Sequence, residues 1–554
     1  MGLDSPLATA GPAPVGLERP WTRPPATTEP GAPRTGSRRG RHTAIAPSRL
    51  TLAPLALFAI LAIQAILSLR LVWSNTAFLD EATYLFVGHV ELAHWRTGSP
   101  VPAYPTYLSG APVIYPPLAA LAGDLGGLAA ARILSLGFML GATSLLWGMT
   151  SRLADRRAAF FAAATFAALG PTQYLGAFAT YDAMALFLMS AAAWCVVAAR
   201  DRPDSTWLVL AGACLIALAN ATKYASGIFD PVIIALAALT VASRHGRKAG
   251  LGRGAYLAVS SIGLLALLLG LGGPLYLTGV LSTTVARASG GASPLVILTD
   301  SGKWIGLCCL LGALGVVVAA LARQDRVEVA IIAVLAGAGL LAPLNQARIH
   351  TLTSLSKHVD FGAWFAAAAA GYALARLSRV GKWKTLHVAT AGLALGIVLL
   401  PIGITGRRQA GNFFQAWPNS TEVTSSLRRL TEAHPGNYLV EDYDVPAYYL
   451  ENAISWQRWS DTWYFSYTRP GTHRPIIGLR AYRAAIADHY FSLIVLDFGD
   501  TAAVDQHITE DMRLSGGYHV IGEARYWDKF GVGQFTIWAY EPPHRHRERT
   551  HASS

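Results

Sequence analysis

The chain of 554 residues is 53% hydrophobic and only 14% charged, whereas soluble domains carry about 25% charged residues. This composition excludes a disordered protein, a fibrous protein and most single soluble domains, and it indicates that much of the chain lies in lipid. The net charge of +12 is not evidence for nucleic-acid binding, because cytoplasmic Lys and Arg give membrane proteins the same excess.

The N-terminal segment 1–48 is rich in Pro, Gly, Thr and Arg and has few large apolar residues. It is therefore predicted to be a disordered, basic tail. The apolar run from Thr51 to Val72 follows and is long enough to cross a bilayer, which takes about 20 residues. We interpret it as a retained first transmembrane helix that opens a membrane module over 49–405.

Ten further apolar runs predict a polytopic α-helical membrane protein with about 11 transmembrane helices. Short basic connections alternate with connections that are poor in charge, so the positive-inside rule places the N-terminus in the cytoplasm. An odd number of spans then places the C-terminal part outside the plasma (inner) membrane. The ten runs begin near Leu128, Ala158, Tyr174, Thr206, Ser226, Ala255, Lys303, Val327, Phe361 and Leu386.

The C-terminal part has the composition of a soluble domain. Residues 437–441 and 492–496 are typical of short buried strands, and helical patterns cover 420–433, 478–488 and 501–513. A closing strand pair is predicted at 518–523 and 533–540. The sequence thus predicts a small extracytoplasmic α/β domain over 406–543, followed by a frayed polar tail at 544–554.

Two adjacent acids, Asp80 and Glu81, open the first outer loop, which is predicted at 75–127. Acids beside apolar residues at a membrane surface are candidates for a raised pKa and a proton-accepting role. A solvated acid pair is the alternative. The segment Ala82–Trp95 that follows could form an amphipathic helix in the interface.

Here the chain resembles a family of membrane enzymes. Asp-Glu-Ala-x-Tyr at 80–84, just after a first transmembrane helix, is similar to the first-loop motif of GT-C glycosyltransferases. Within that class it resembles the branch of protein O-mannosyltransferases and aminoarabinose lipid A transferases. Further segments resemble this branch in the same order along the chain. They are Tyr115–Leu118 with Ala130–Ile133, Gly170-Pro171 with Thr180–Asp182, Asn220–Lys223, and Ser356–His358.

The resemblance implies a polytopic enzyme that takes sugar from a polyprenyl-phosphate donor outside the cytoplasm. Neither acceptor class of the branch can be carried over. The mannosyltransferases carry a His shortly after the acidic pair, where this chain has Ala82–Tyr84. The lipid A enzymes carry a Lys near the Pro-Pro-Leu segment, where this chain has Val113–Tyr115.

Sugar transfer from a phosphate needs a base for the acceptor hydroxyl and cations for the departing phosphate. Asp80 is the candidate base. Glu81 could orient the acceptor, the base or a metal, and Asp182 could join the same cleft, with helix capping as its alternative role. Cations are sparse in the predicted outer loops, so five groups become candidates for the donor phosphate, with snorkelling to lipid headgroups as the alternative. They are Lys223, Lys357, His358, Arg287 and Arg132.

Acceptor contacts are expected from Tyr84 and Tyr115 of the first outer loop. The loop from Ser282 to Gly302 is either a mobile flap over the donor or a plain connection. In the outer domain, five aromatic residues could touch a sugar, although a domain core is the simpler interpretation. They are Trp456, Trp459, Trp463, Tyr464 and Tyr467. Asp442 and Asp444 could likewise bind a sugar hydroxyl or lie in surface turns.

The leading hypothesis is an inverting glycosyltransferase with three partners: a polyprenyl-phosphate sugar, an extracytoplasmic acceptor (glycan, lipid or protein), and membrane lipid. A lipid-linked sugar flippase or transporter, or a noncatalytic membrane scaffold with an outer binding domain, is the alternative. No cofactor is assigned from the sequence. A divalent cation held by Asp80, Glu81 and a His stays open because no metal-ligand spacing is visible.

Overall fold

The computed structural model describes residues 52–201, 205–379, 389–390 and 392–542. The tail predicted at 1–48 and the one predicted at 544–554 lie outside these residues, as do the first residues of the last predicted span near Leu386. From Leu52 onward the described residues form one compact unit, in which the helical module and the C-terminal sheet domain pack together.

Fourteen α-helices precede the C-terminal domain in the described residues. They are α1 (Leu52–Val72), α2 (Leu79–Thr97), α3 (Tyr115–Leu153), α4 (Arg156–Ala168), α5 (Gly170–Leu175), α6 (Tyr181–Ala198), α7 (Thr206–Thr222), α8 (Asp230–His245), α9 (Arg247–Thr283), α10 (Pro294–Leu321), α11 (Arg326–Ala338), α12 (Leu341–Arg348), α13 (Leu355–Leu377) and α14 (Leu400–Phe413).

Six of the described helical segments are long and apolar enough to cross a membrane, and a seventh is counted if the bent pair α11 and α12 forms one span. The multi-pass architecture is therefore confirmed, but these criteria do not reach the predicted number of about 11. Several predicted spans are short: α4 has 13 residues and α7 has 17. Small residues dominate these segments, and they pack inside the bundle.

Helix α3 begins at Tyr115, well before the span predicted from Leu128. Two glycines just before Leu128 divide it into two parts. Gly126 and Gly127 have non-helical backbone angles, with φ of +64° at Gly127, so the helix is kinked between its outer and inner parts. The first outer loop consequently contains a helical segment at each end. Helix α2 includes the predicted amphipathic segment, and every residue from Glu81 to Gly88 is buried.

The C-terminal domain contains one five-stranded sheet with strand order β2-β1-β5-β7-β6. Strands β2, β1 and β5 are parallel, and β5, β7 and β6 are antiparallel. The predicted strands and helices are found, and the closing hairpin is longer than expected. The elements are α15 (Thr421–Ala433), β1 (Asn437–Val440), α16 (Asp444–Tyr449), β2 (Trp459–Ser460), β3 (Ser466–Tyr467), β4 (Ile476–Ile477), α17 (Leu479–Ala487), β5 (Phe491–Leu496), α18 (Ala502–Ser515), β6 (Tyr518–Asp528) and β7 (Gly531–Tyr540).

Helix α2 joins the two parts of the molecule. Its Phe86 is buried in the apolar core of the C-terminal domain, while Leu85 is buried in the core of the helical module. The Tyr449 hydroxyl accepts a hydrogen bond of 2.8 Å from the Ala77 amide, just before α2. His89 Nδ1 lies 2.7 Å from a Glu451 oxygen of the domain. Helix α2, which begins with the acidic motif, is therefore held by contacts with both the helical module and the C-terminal domain.

Candidate active site

A cavity of about 1110 Å³ lies between the helical module and the C-terminal domain. The module contributes the start of α2, the first outer loop and the ends of several helices. The domain contributes the loop regions around β2 and α16. Asp80, Lys223, Arg287 and His358 all line this cavity. The structure thus brings four predicted site residues from four separate segments to one space.

Asp80 lies in the first turn of α2, and its side chain is 30% exposed to the cavity. Lys357, in the first turn of α13, makes a short ion pair with the Asp80 carboxylate and is itself almost completely buried. Asp80 is the one carboxylate of the acidic motif that faces the cavity.

A second acid lies behind this pair. Asp182, in the first turn of α6, is fully buried, with one oxygen 2.9 Å from Lys223 Nζ and the other 3.9 Å from Lys357 Nζ. Two acids and two lysines thus form a neutral cluster, in which Asp182 acts as a counter-ion between the cations. Burial of unpaired lysines would be unfavourable, so Asp182 makes two inward-pointing cations possible.

The first outer loop positions Lys223 through backbone contacts. The Ala111 amide donates to the Ala221 carbonyl at 2.8 Å, and the Tyr224 amide donates to the Ser109 carbonyl at 3.0 Å. Between them, a Cβ on Gly110 would lie 2.1 Å from the Thr222 carbonyl oxygen, so only glycine allows this approach. The loop therefore lies directly against the segment that presents the lysine.

Glu81 and Arg132 have a different position from the one predicted. Both are fully buried, and they form a bidentate pair with distances of 2.8 and 2.6 Å. Arg132 also donates to the carbonyls of Val72, Asn75 and Thr76. Glu81 further accepts from the amides of Phe78 and Ala179. The pair therefore fixes the loops beneath Asp80, and neither residue lines the cavity, so a phosphate contact for Arg132 does not fit this position.

The other predicted residues fall into two groups. His358 lies at the cavity with its Nδ1 3.2 Å from Gln346 Nε2, and Tyr84 lines the cavity with its ring 4.3 Å from that of Tyr181. Tyr115 is instead fully buried, with its hydroxyl 3.2 Å from Ser135 Oγ, and does not line the cavity. An acceptor contact for Tyr115 therefore does not fit.

The loop predicted as a flap is shorter than expected. Helices α9 and α10 extend to Thr283 and from Pro294, so only 284–293 connect them. Two backbone hydrogen bonds of 3.0 Å, from Gly290 to Ile349 and from Ala292 to His350, join this connection to the neighbouring outer segment.

The C-terminal domain contributes more residues to the cavity than the sequence predicts. Trp463 and Tyr464 were expected in a core, but they are 57% and 75% exposed and line the cavity. Asp444 lines it as well, rather than lying in a surface turn, and Asp461, which the sequence did not single out, joins it. Of the predicted aromatic cluster, Trp459 and Tyr467 are buried as a core would require. The dense alternation of aromatic and acidic residues was the signal available.

A metal site finds no support in these contacts. Within the described ranges, no three His, Cys, Asp or Glu side chains lie close enough together to hold a metal ion. Asp80 and Asp182 are both paired with lysines, and Glu81 is paired with Arg132. Each of these carboxylates therefore already has a cationic partner.

Comparison with known proteins agrees with this geometry. Residues 112–270 match the model of the dolichyl-phosphate-mannose-protein mannosyltransferase family. No curated protein sequence matches the chain significantly. Among solved structures, the chain is similar to ArnT from Cupriavidus metallidurans bound to undecaprenyl phosphate. The identity is 14% over 89% of this chain and 98% of that one, with a TM-score of 0.53.

An archaeal oligosaccharyltransferase, AglB from Archaeoglobus fulgidus, has the same fold. Its complex with an inhibitory peptide and a dolichol-phosphate is 14% identical, over 89% of this chain and 74% of that one, with a TM-score of 0.56. The chain is thus a polytopic membrane protein with the GT-C fold, which confirms the resemblance seen in the sequence.

Proposed function

We propose that the chain is an inverting glycosyltransferase that moves a sugar from a polyprenyl-phosphate donor to an acceptor hydroxyl outside the cytoplasm. The observation that carries the proposal is the position of Asp80 at the cavity, paired with the buried Lys357, while the buried Lys223 lines the same cavity. A base and phosphate-binding cations thus share one space, as this reaction requires. The fold of enzymes solved with polyprenyl phosphates supports the same donor class.

In the proposed reaction, the acceptor oxygen attacks the anomeric carbon from the side opposite the phosphate. Asp80 takes the proton of the acceptor hydroxyl, the bond between the anomeric carbon and the phosphate oxygen breaks, and the polyprenyl phosphate leaves with the electron pair. Attack from the opposite side inverts the configuration. Lys223 and Lys357 neutralise the growing negative charge of the phosphate, with Arg287 and His358 available at the cavity wall.

The pairing of Asp80 with Lys357 suggests an order of events. When the donor phosphate arrives, it competes with Asp80 for the Lys357 ammonium group. Lys357 retains Asp182, 3.9 Å away, as a counter-ion during this exchange. Asp80 is then released from its ion pair while still ionised and can bind the acceptor hydroxyl. Donor binding would thus prepare the base.

An apolar cavity of about 550 Å³ supports the lipid character of the donor. It is lined by leucines of α9 together with Val113 and Ile114, and also by Ala221 and Tyr224, which are near neighbours of Lys223 in the chain. A polyprenyl chain needs such a surface close to its phosphate. The lysine at one side and the leucines at the other match the two ends of a polyprenyl phosphate.

The proposed orientation follows the charges of the connections. Basic residues dominate one set of connections, including Arg156-Arg157 and Arg244–Arg253. This set is placed in the cytoplasm with the N-terminus, and the cavity and the C-terminal domain face outward. The protein would thus be a multi-pass protein of the plasma (inner) membrane.

The direct test uses the purified full-length protein in lipid nanodiscs, a panel of polyprenyl-phosphate monosaccharides, and glycan, lipid and peptide acceptors. Polyprenyl-phosphate mannose comes first because the matching family model is that of a mannosyltransferase. Release of free polyprenyl phosphate is measured by mass spectrometry. Release from at least one donor by the wild type, but not by the Asp80→Asn variant, is expected. No release from any donor would contradict the proposal.

A further inference from the structure

The part of the cavity formed by the C-terminal domain differs in chemistry from the part that contains the lysines. Several aromatic rings and two carboxyl groups line it, and we name three of these rings and the two carboxyl groups the aromatic wall. They are Trp456, Trp463, Tyr464, Asp444 and Asp461. Among the described residues that this domain contributes to the cavity there is no Lys or Arg, and the cavity cations all come from the helical module.

Two of the rings are presented to the cavity rather than packed in a core. Trp463 is 57% exposed and Tyr464 is 75% exposed. Hydrogen bonds nevertheless hold them in place: Trp463 Nε1 donates to Asp442 at 3.2 Å, and the Tyr464 amide donates to Asp461 at 2.6 Å. Large apolar rings fixed towards an open space are typical of a binding surface, because their exposure without a ligand is unfavourable.

A buried polar group beside this wall lacks a partner within the described residues. Trp459 Nε1 is a buried indole donor without a hydrogen-bond acceptor, although the ring borders the cavity. Burial, followed by the nearby Asp461 and Asp442, raises the pKa of Asp444 to about 8. Asp444 is thus mainly protonated at neutral pH and can both donate and accept a hydrogen bond.

We propose that the aromatic wall is the acceptor subsite and that its ligand is a neutral oligosaccharide. A sugar ring has an apolar face of C–H groups, which packs against an aromatic ring, and a rim of hydroxyls, which pairs with carboxyl groups. The wall offers both within one surface. This inference rests on the proposed glycosyltransferase function and assigns the acceptor class of that same site.

The charge of the wall disfavours anionic acceptors. A phosphorylated or otherwise anionic acceptor would meet carboxyl groups without a compensating cation on this wall. A serine- or threonine-containing peptide is the competing ligand, since β2 is a short strand at the edge of the sheet that a peptide could extend. The exposed rings favour the saccharide, because a peptide added to β2 would use backbone groups and leave these rings without a role.

The test measures ligand binding to the full-length protein in nanodiscs by saturation-transfer NMR. The probes are neutral trisaccharides of mannose and of arabinose and a threonine-containing hexapeptide. The wild type is expected to show transfer to sugar ring protons of at least one trisaccharide. The Trp463→Ala/Tyr464→Ala variant should weaken that binding at least tenfold, and the Trp463→Phe/Tyr464→Phe variant should largely retain it.

Trp527→Ala is the matched control, because Trp527 is 72% exposed on the same domain but does not line the cavity. It should bind the trisaccharide like the wild type. Thermal unfolding of the double alanine variant, measured on the same samples, should occur at the wild-type Tm. This second measurement reports whether the variant is folded.

The outcomes separate the two proposals. Unchanged saccharide binding in the double alanine variant, or binding of the peptide alone, would overturn the subsite while donor turnover leaves the proposed function standing. Absence of donor turnover in the wild type would overturn the proposed function and, with it, the acceptor role of the wall.

Discussion

The ammonium group of Lys223 lies 2.9 Å from the carboxylate of Asp182, and both side chains are at least 98% buried. This pair connects the end of α7 to the start of α6 directly beneath the cavity. We therefore expect Asp182 to act as a positioning residue rather than as the base, since it is fully buried against Lys223 and Lys357 and does not line the cavity. The donor phosphate would meet lysines whose orientation is fixed before it binds.

Replacement of Asp182 by Asn should weaken donor binding more than it slows the chemical step. The variant removes the counter-ion that holds both lysines, so we expect KM for the polyprenyl-phosphate sugar to rise about tenfold while kcat falls less. Steady-state kinetics at varied donor concentration measure the two effects separately. Asp300→Asn is the control, because Asp300 pairs only with the exposed Lys303 on α10. A change in kcat alone would contradict the positioning role.

The pair of Glu81 and Arg132 should support the structure rather than the reaction. Arg132→Leu leaves a fully buried carboxylate without its cation, and loss of one partner of such a pair costs about 3–5 kcal/mol. Thermal unfolding in detergent should therefore occur at a clearly lower Tm. Arg287→Leu, which removes a cavity-lining cation, should lower donor affinity with little effect on Tm. Equal Tm values for the two variants would show that the buried pair lacks this role.

Gly110 should be essential for the position of Lys223. In Gly110→Val the new Cβ would lie 2.1 Å from the Thr222 carbonyl, so the loop or the end of α7 must move. We expect at least a tenfold loss of donor turnover. Gly137→Ala is the matched control, because a Cβ there meets no atom within 4 Å. Full activity of Gly110→Val would mean that the contact between the loop and the lysine segment is dispensable.

The protonation of Asp444 should make stability depend on pH. Burial, followed by the neighbouring Asp461 and Asp442, raises its pKa from 3.8 to about 8 in the folded protein. The folded state therefore binds the proton more tightly than the unfolded state, and this contribution to stability is lost as the pH rises from about 4 through 8. Tm should fall more between pH 6 and 9 for the wild type than for Asp444→Asn. Parallel pH profiles would contradict the shift.

The order of motifs along the chain was sufficient to predict the fold class, and it singled out Asp80, Lys223 and Lys357, which the structure brings into one cluster of ion pairs with Asp182. It could not show which of the two adjacent acids faces the cavity. Neighbouring residues on a helix point about 100° apart, so the bundle around α2 decides that Asp80 faces the cavity and Glu81 is buried. The sequence likewise could not show that Arg132 is buried against Glu81. Arg132 lies near the start of a predicted span, which is where a phosphate ligand could also lie.

The role of the C-terminal domain was also beyond sequence reasoning. Aromatic residues in a small domain usually form its core, and Trp459 and Tyr467 do so. Trp463 and Tyr464 differ because the domain packs on α2 and brings their loop over the cavity. Only the tertiary arrangement distinguishes these two pairs, since all four residues lie within one short segment.

The assignment of Asp80 as the base is the central claim, and the Asp80→Asn variant tests it most directly. Asn has nearly the same size but cannot accept the acceptor proton, and general bases contribute about 10²- to 10⁴-fold to rates. Sugar transfer from the active polyprenyl-phosphate donor, measured at saturating donor and acceptor, should fall by at least a factor of about 100, with donor binding retained. Transfer at the wild-type rate would contradict the account.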